Sequence, residues 1–357
     1  MAINASQLLE KVIEVNASDL HLVVGMPPSI RVNTVLSRLD DYGILSIEDI
    51  QYFISKILSQ DQQNLFDLNK ELDLSVALSN KARFRVNVFY QKGYPSVALR
   101  LIPMLVPSLD SLNLPPIIKN IGELKQGLVL VVGPTGNGKS TTIASMIDYI
   151  NETRSEHIVT VEDPIEYIFT SKKSLIEQRE MYLDTHSWEA ALKSVLRQDP
   201  NVVFIGEMRD KETMESVLNI AETGHLVFAT LHTNSAAQSL DRVISSFPET
   251  QQLQVRLQLS QVIEAVISQR LLPSPNKGTV PAVELLLATD AVRSLIREGK
   301  AYQIDNVIST GATYGMMTLD ASLALLVSQN YVDLEEAMKR SLNPENLRRM
   351  LKMGGSK

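Results

Sequence analysis

The segment GPTGNGKST, Gly133 to Thr141, directly follows the apolar run GLVLVV and fits the phosphate-loop pattern G-x-x-x-x-G-K-[ST]. It commits this part of the chain to a strand, a tight glycine turn and a helix in immediate succession. Gly133, Gly136 and Gly138 permit backbone turns that aim successive N–H groups of the loop Gly133, Pro134, Thr135, Gly136, Asn137, Gly138 at phosphate oxygens. The helix expected from Lys139 adds the positive end of its dipole. Lys139 would then reach the β- and γ-phosphates, with Ser140 on a magnesium ion and Thr141 closing the motif.

A chain of 357 residues exceeds one typical domain, and its 44% hydrophobic content supports ample cores. The apolar runs are of strand length, well short of the ~18 residues that span a membrane. The start MAINASQLLEKV lacks the layout of a signal peptide, so a cytoplasmic location, soluble or peripheral to the membrane, is expected. The absence of cysteine excludes disulfides and thiolate metal sites, and the five histidines show no metal-ligand spacing. Magnesium is the one metal expected. A net charge of -7 without a block of basic residues argues against nucleic acid as a partner, because neutralising phosphates needs a basic surface.

Residues 5–15 have near-helical apolar spacing, and strands are predicted at 29–33, 73–78, 82–91 and 95–102, with LHLVV earlier. A helix is predicted over 46–58 from its period and its Ser46-to-Asp49 start signal. Prolines 103, 107, 115 and 116 mark a linker. Beyond it, strands at 128–132, 157–162, 202–206 and 226–230 alternate with helices at 139–151, 188–197, 211–221 and 235–244. That alternation predicts a parallel sheet covered on both faces. The tail from Asp290 is expected to form short amphipathic helices. The expected organisation is an α+β domain over 1–102, a linker over 103–116, a phosphate-loop domain over 117–289 and a helical tail over 290–357.

Hydrolysis of a phosphoanhydride needs a metal-holding acid, a group that positions water and positive charge on the transferring phosphate. VVFIGEMRD (202–210) is a buried strand ending in an acid, and Glu207 is the candidate for the magnesium shell. VEDPIEY (161–167) places Glu162, Asp163 and Glu166 beyond another strand, where open α/β sheets bind ligands. Residue chemistry alone leaves open which of these three orients water. GHLVFATLHTNSA (224–236) sets His225 and His232 around a third strand, either as phosphate contacts or bonded to a neighbouring carbonyl. Arg83, Arg85 and Arg100 lie in the hairpin of the first domain, suited to clamp phosphate but equally at home in strand salt bridges.

Taken in order, NASDLHLVVGMPPSIRVN, RFRVNVF, GPTGNGKSTT, VEDPIEY, QREMYLDT, DPNVVFIGEMRD and AETGHLVFATLHTNSA resemble the type IV pilus retraction ATPases, the PilT-like branch of the secretion ATPase superfamily. The likeness covers almost the whole chain, and AVRSLIREGK with GMMTLD favours the retraction branch over pilus assembly. It implies an α/β architecture with a PAS-like N-terminal domain, a RecA-like ATPase domain and a helical tail, joined in a homohexamer ring. ATP and Mg2+ are the implied ligands, with Ser140 and Glu207 at the metal. Glu166 is implied as the residue that activates water and His232 as a contact of the γ-phosphate. Arg85 and Arg100 are implied to close onto the nucleotide. An inner-membrane pilus platform protein and a second retraction ATPase are the implied partners. Asn137 stands where such loops commonly carry serine, its side chain expected to point away from the working amides. Arg293 and Arg297 stand open between a partner surface and ordinary salt bridges. The rival readings are a pilus assembly or secretion ATPase, an accessory nucleotide-binding subunit and a nucleic-acid translocase.

Overall fold

The computed structural model describes residues 4–32, 35–78, 82–102, 105–275 and 278–354, so Asn33 of the predicted second strand and Pro103 of the linker lie outside the described residues. The chain divides into two units. The first runs to Leu105 and takes in Glu166–Ile168; the second holds Val106–Ile165 and everything from Phe169 onward.

The first unit contains α1 (Ala5–Glu14), β1 (Asp19–Val23), β2 (Ser29–Val32), β3 (Val35–Arg38), α2 (Ile47–Ile57), α3 (Gln60–Asn69), β4 (Glu71–Leu78), β5 (Ala82–Gln91) and β6 (Tyr94–Ile102). Its strands form one antiparallel sheet in the order β3-β2-β1-β6-β5-β4. Alternation along β5 sends Phe84, Val86 and Val88 to a core shared with Leu8, Leu9 and Val12 of α1 and Ile50, Phe53 and Ile54 of α2. The Ser46 start signal works as predicted: Ser46 caps the Asp49 amide and Asp49 returns the bond. The Lys92-Gly93 hairpin is a two-residue loop with both φ angles positive, which matches the twist of its strands. Helix α3 and strand β3 add to what the sequence pattern shows. The apolar positions of α3 are sparse, with Phe66 alone fully buried among them, so its period is faint.

The second unit contains α4 (Ile117–Gly122), β7 (Gly127–Val132), α5 (Lys139–Thr153), β8 (His157–Glu162), β9 (Leu175–Glu180), α6 (Trp188–Val195), β10 (Val202–Ile205), α7 (Lys211–Glu222), β11 (Leu226–Leu231), α8 (Ala236–Ser245), α9 (Glu249–Val262), β12 (Ile263–Ser274) and β13 (Gly278–Leu287). The tail adds α10 (Asp290–Arg297), α11 (Ile304–Thr310), α12 (Leu319–Ser328), α13 (Leu334–Arg340) and α14 (Pro344–Gly354).

The sheet order is β13-β12-β7-β11-β10-β8-β9, parallel except for the antiparallel edge strand β13. Every residue of β7 and of β11 is buried, as a strand covered on both faces requires. Leu128, Leu130 and Val132 face a core closed by α6 to α11; Val129 and Val131 face a second core closed by α4 and α5. Full burial of each such side chain stabilises by roughly 1.5–3 kcal/mol. The β12–β13 hairpin outruns the rest of the sheet, and its far end, Leu272, Val280 and Ala282, is covered by Leu319, Leu323 and Leu347 of the tail. Upstream of α4, Leu109 is buried in the second core and the Pro107 carbonyl accepts the Ser145 hydroxyl at 2.7 Å. No helix among the described residues is long and apolar enough to cross a membrane.

Candidate active site

Because β7, β11, β10 and β8 are adjacent and parallel, the loops after them open on one edge of the sheet. They carry Gly133–Gly138, His232, Glu207 and Asp163 respectively. The phosphate loop turns through Gly133, Gly136 and Gly138, all at positive φ. A Cβ on Gly133 would stand 2.3 Å from the Gln269 carbonyl, so glycine is required there by space as well as by conformation. A Cβ on Gly136 would meet nothing within 4 Å, which leaves that side of the turn open to a ligand. Helix α5 starts at Lys139, and its leading amides add donors on the same side. The buried Lys139 ammonium lies along the loop, donating to the carbonyls of Gly133 at 2.8 Å and Pro134 at 3.1 Å. Open turn, helix start and lysine together fit a polyphosphate.

Three motifs meet through one histidine. His232 Nδ1 is 3.2 Å from the Thr135 hydroxyl, and its Nε2 is 3.2 Å from Glu207 Oε1. A ring carrying its hydrogen on Nε2 donates to the carboxylate and leaves Nδ1 to accept from Thr135. Arg209 Nε donates to the other Glu207 oxygen at 2.9 Å, and this bond raises the already high proton affinity of the guanidinium. Main-chain bonds fix the loop that carries Glu207: Gly206 N–H donates to Val161 at 2.8 Å and Met208 N–H to Thr230 at 3.1 Å. Ser140, half-buried in the first turn of α5, stands on the same edge. The acid and the hydroxyl suit a hard, oxygen-seeking cation such as Mg2+.

The three acids of VEDPIEY separate by burial. Glu162 is buried, accepting the Thr160 hydroxyl at 2.7 Å and the Gln178 amide at 3.2 Å, so it braces β8 against β9. Asp163 begins the turn, across a cis bond to Pro164, and its field acts on Arg209. Glu166 is exposed and belongs to the first unit. Glu180, buried at the end of β9, accepts the Ile165 amide at 3.2 Å and so holds the turn from below. His225 bonds the Ile220 carbonyl at 3.0 Å, the structural alternative raised for it.

In the first unit, Arg85 and Arg100 face each other directly across the β5–β6 ladder. The same crosswise row continues through Asp19 of β1 to Arg31 of β2. Arg100 donates to Asp19 at 2.9 Å, and Arg31 approaches the other Asp19 oxygen at 3.6 Å. Burial works to raise the affinity of Asp19 for its proton, but the bonds from the Ser18 hydroxyl and Arg100 outweigh it and hold the carboxyl below its usual range. In the tail, Arg293 is committed inside the second unit. Its Nη1 caps the Ser260 and Gln261 carbonyls at the end of α9, both at 2.9 Å, and its Nη2 pairs with Glu264 at 2.8 Å. Arg297 stands exposed at the end of α10.

A strand, a glycine loop with its lysine, and an acid and histidine on the neighbouring strands define the layout of a P-loop nucleotide-binding protein. A family model for type II/IV secretion system proteins matches residues 2–340, and the chain belongs to that family. It is 44% identical over 330 residues to the type IV pilus retraction ATPase PilT of Pseudomonas aeruginosa, covering 92% of this chain and 96% of that one. A twitching motility protein of Neisseria gonorrhoeae is 47% identical over 321 residues, covering 90% and 86% of the two chains. A crystal structure of the pilus retraction motor PilT with bound ADP superposes with a TM-score of 0.91 at 45% identity, over 97% of this chain and 99% of that one. The resemblance drawn from the motifs therefore holds at the level of family and overall structure.

Proposed function

We propose that this chain is an ATPase motor that powers type IV pilus retraction, built from a PAS-like first unit, a RecA-like second unit and a helical tail. The observation that carries the reading is the Thr135–His232–Glu207 chain, which links the phosphate loop to the acid two strands away. Such a link lets the occupancy of the loop be felt at the acid that readies hydrolysis. The extensive identity to the retraction ATPase and twitching motility proteins supports the direction of the output.

In this reading the loop amides and Lys139 bind the β- and γ-phosphates of ATP. Ser140 and Glu207 would hold Mg2+, which when bound offsets phosphate charge. His232, fixed between Thr135 and Glu207, contacts the γ-phosphate. Glu166 accepts a proton from the attacking water, and Arg85 and Arg100 place positive charge on the transferring phosphate. Subunits join as a homohexamer ring at the cytoplasmic face of the inner membrane, acting on a pilus platform protein, with a second retraction ATPase as a further partner. Nucleic acid plays no part.

The test is magnesium-dependent ATP turnover of the purified chain and of Lys139→Ala, paired with complementation of a deletion strain. Turnover that needs both Mg2+ and Lys139, in a strain that keeps surface pili but loses twitching without it, is the expected result. Nucleotide binding without turnover would make the chain an accessory subunit, and loss of surface pili would make it an assembly ATPase.

A further inference from the structure

Strand β12 carries a polar pair of contacts that the phosphate-loop pattern does not contain. Gln269 lies between Ser268 and Arg270 in β12 and is 2% exposed. Both ends of its side-chain amide are engaged, by the loop and by the helix after it: Nε2 donates to the Asn137 carbonyl at 2.8 Å, and Oε1 accepts the Thr142 hydroxyl at 2.8 Å. Its own carbonyl occupies the space that a side chain at Gly133 would need. One residue thus touches the start, the tip and the helical exit of the turn.

Asn137 completes the arrangement from the loop side. Strand β7 ends opposite Ser268, so β12 runs past it and the Leu271 amide has no β7 residue to pair with. Asn137 Oδ1 accepts that amide at 2.8 Å, standing in for the missing strand. Its Nδ2 donates to the carbonyls of Pro134 and Thr135, both at 3.2 Å, turning those oxygens inward. A serine at this position is one heavy atom shorter and has a single hydroxyl in place of the amide's separate donor and acceptor. The Asn137 side chain is thus taken up by β12 and by the carbonyls of its own loop.

We infer that Gln269 and Asn137 are positioning residues that hold the phosphate loop assembled before nucleotide arrives, so that binding does not have to order it. A turn rich in glycine loses more backbone freedom on ordering than any other, and a loop fixed in advance has met that cost during folding. The inference rests on the nucleotide reading above and concerns the side chains of Gln269 and Asn137, which are engaged by the protein itself.

The experiment measures the Kd for MgADP on the full-length chain, Gln269→Leu, Asn137→Ala, Thr142→Val and the Gln269→Leu/Thr142→Val double variant, at a temperature where circular dichroism shows all to be folded. Gln269→Leu and Asn137→Ala should each weaken binding on the order of tenfold, the size of one buried hydrogen bond. The double variant should bind no worse than Gln269→Leu alone, because both remove the same bond. A lowered Tm with Kd unchanged in both single variants would overturn the inference, leaving a purely structural contact. Failure of the unmodified chain to bind MgADP would instead overturn the nucleotide reading, and this inference with it.

Discussion

Glu162 and Glu166 lie four residues apart in sequence and differ in what their surroundings allow. The Glu162 carboxyl is buried and engaged by Thr160 and Gln178, whereas Glu166 is exposed and keeps the access to water that a general base needs. Glu166→Ala should therefore lower ATP turnover by about two to four orders of magnitude while MgADP binding persists. Glu162→Ala should lower thermal stability, by about 1–3 kcal/mol for the buried donors it leaves unmatched. Parallel turnover and melting measurements on the two variants check this; equal loss of turnover in a stable Glu162→Ala protein would move the base to Glu162. From residue types alone the three acids were interchangeable. Burial separates them, and burial depends on the parallel strand β9, whose mostly polar LIEQRE sequence looks like a surface segment.

The elements most clearly written in the sequence were the long apolar strands and the helices with caps, because each follows a local rule. The helix predicted from Lys139 begins there, and 157–162 is the strand expected. The β12–β13 hairpin was missed: its register spans the sheet edge, and polar residues such as Gln269 and Glu284 interrupt the apolar run for reasons found only in three dimensions. The polar triplet Ser268-Gln269-Arg270 inside VISQRLL was the available signal. Glu284 supports a prediction of its own. It accepts the Ala236 amide at 2.7 Å at the start of α8, just beyond the His232 loop. Burial raises its proton affinity, against the Ala236 bond and Arg270, with Asp305 and Asp320 adding to the rise. Folding thus favours the protonated acid. Its contribution is complete below the ordinary glutamate value of 4.5 and is lost as pH rises from there through the higher folded value. Glu284→Gln keeps an acceptor for Ala236 and cannot ionise, so its Tm should gain on that of the unmodified chain as pH rises above the ordinary glutamate value of 4.5. Each tenfold weakening of the acid by folding corresponds to about 1.4 kcal/mol. A Tm difference independent of pH would show that Glu284 does not titrate differently on folding.

Across the molecule, the residues that the proposed function assigns to phosphate transfer fall in both units. The second holds the loop, Glu207 and His232; the first holds the row Arg31, Asp19, Arg100 and Arg85. That row sets three guanidinium groups against one carboxylate. Asp19 serves Arg100 and Arg31, while exposed Arg85 sits directly opposite the cationic Arg100. Like charges across an antiparallel pair are destabilising by roughly 0.2–1 kcal/mol. Arg85 is thus a poor choice for stability, and a good one for an anion that arrives from outside its own sheet. Arg85→Gln should leave Tm unchanged or slightly higher while turnover falls by about 10²–10³, the scale of losing one donor to the charge that develops in transfer. MgADP affinity should change far less, because ADP lacks the transferring phosphate. If ADP binding and turnover fell together with Tm, Arg85 would be a folding residue, and the positive charge on the transferring phosphate would fall to Arg100 and Lys139.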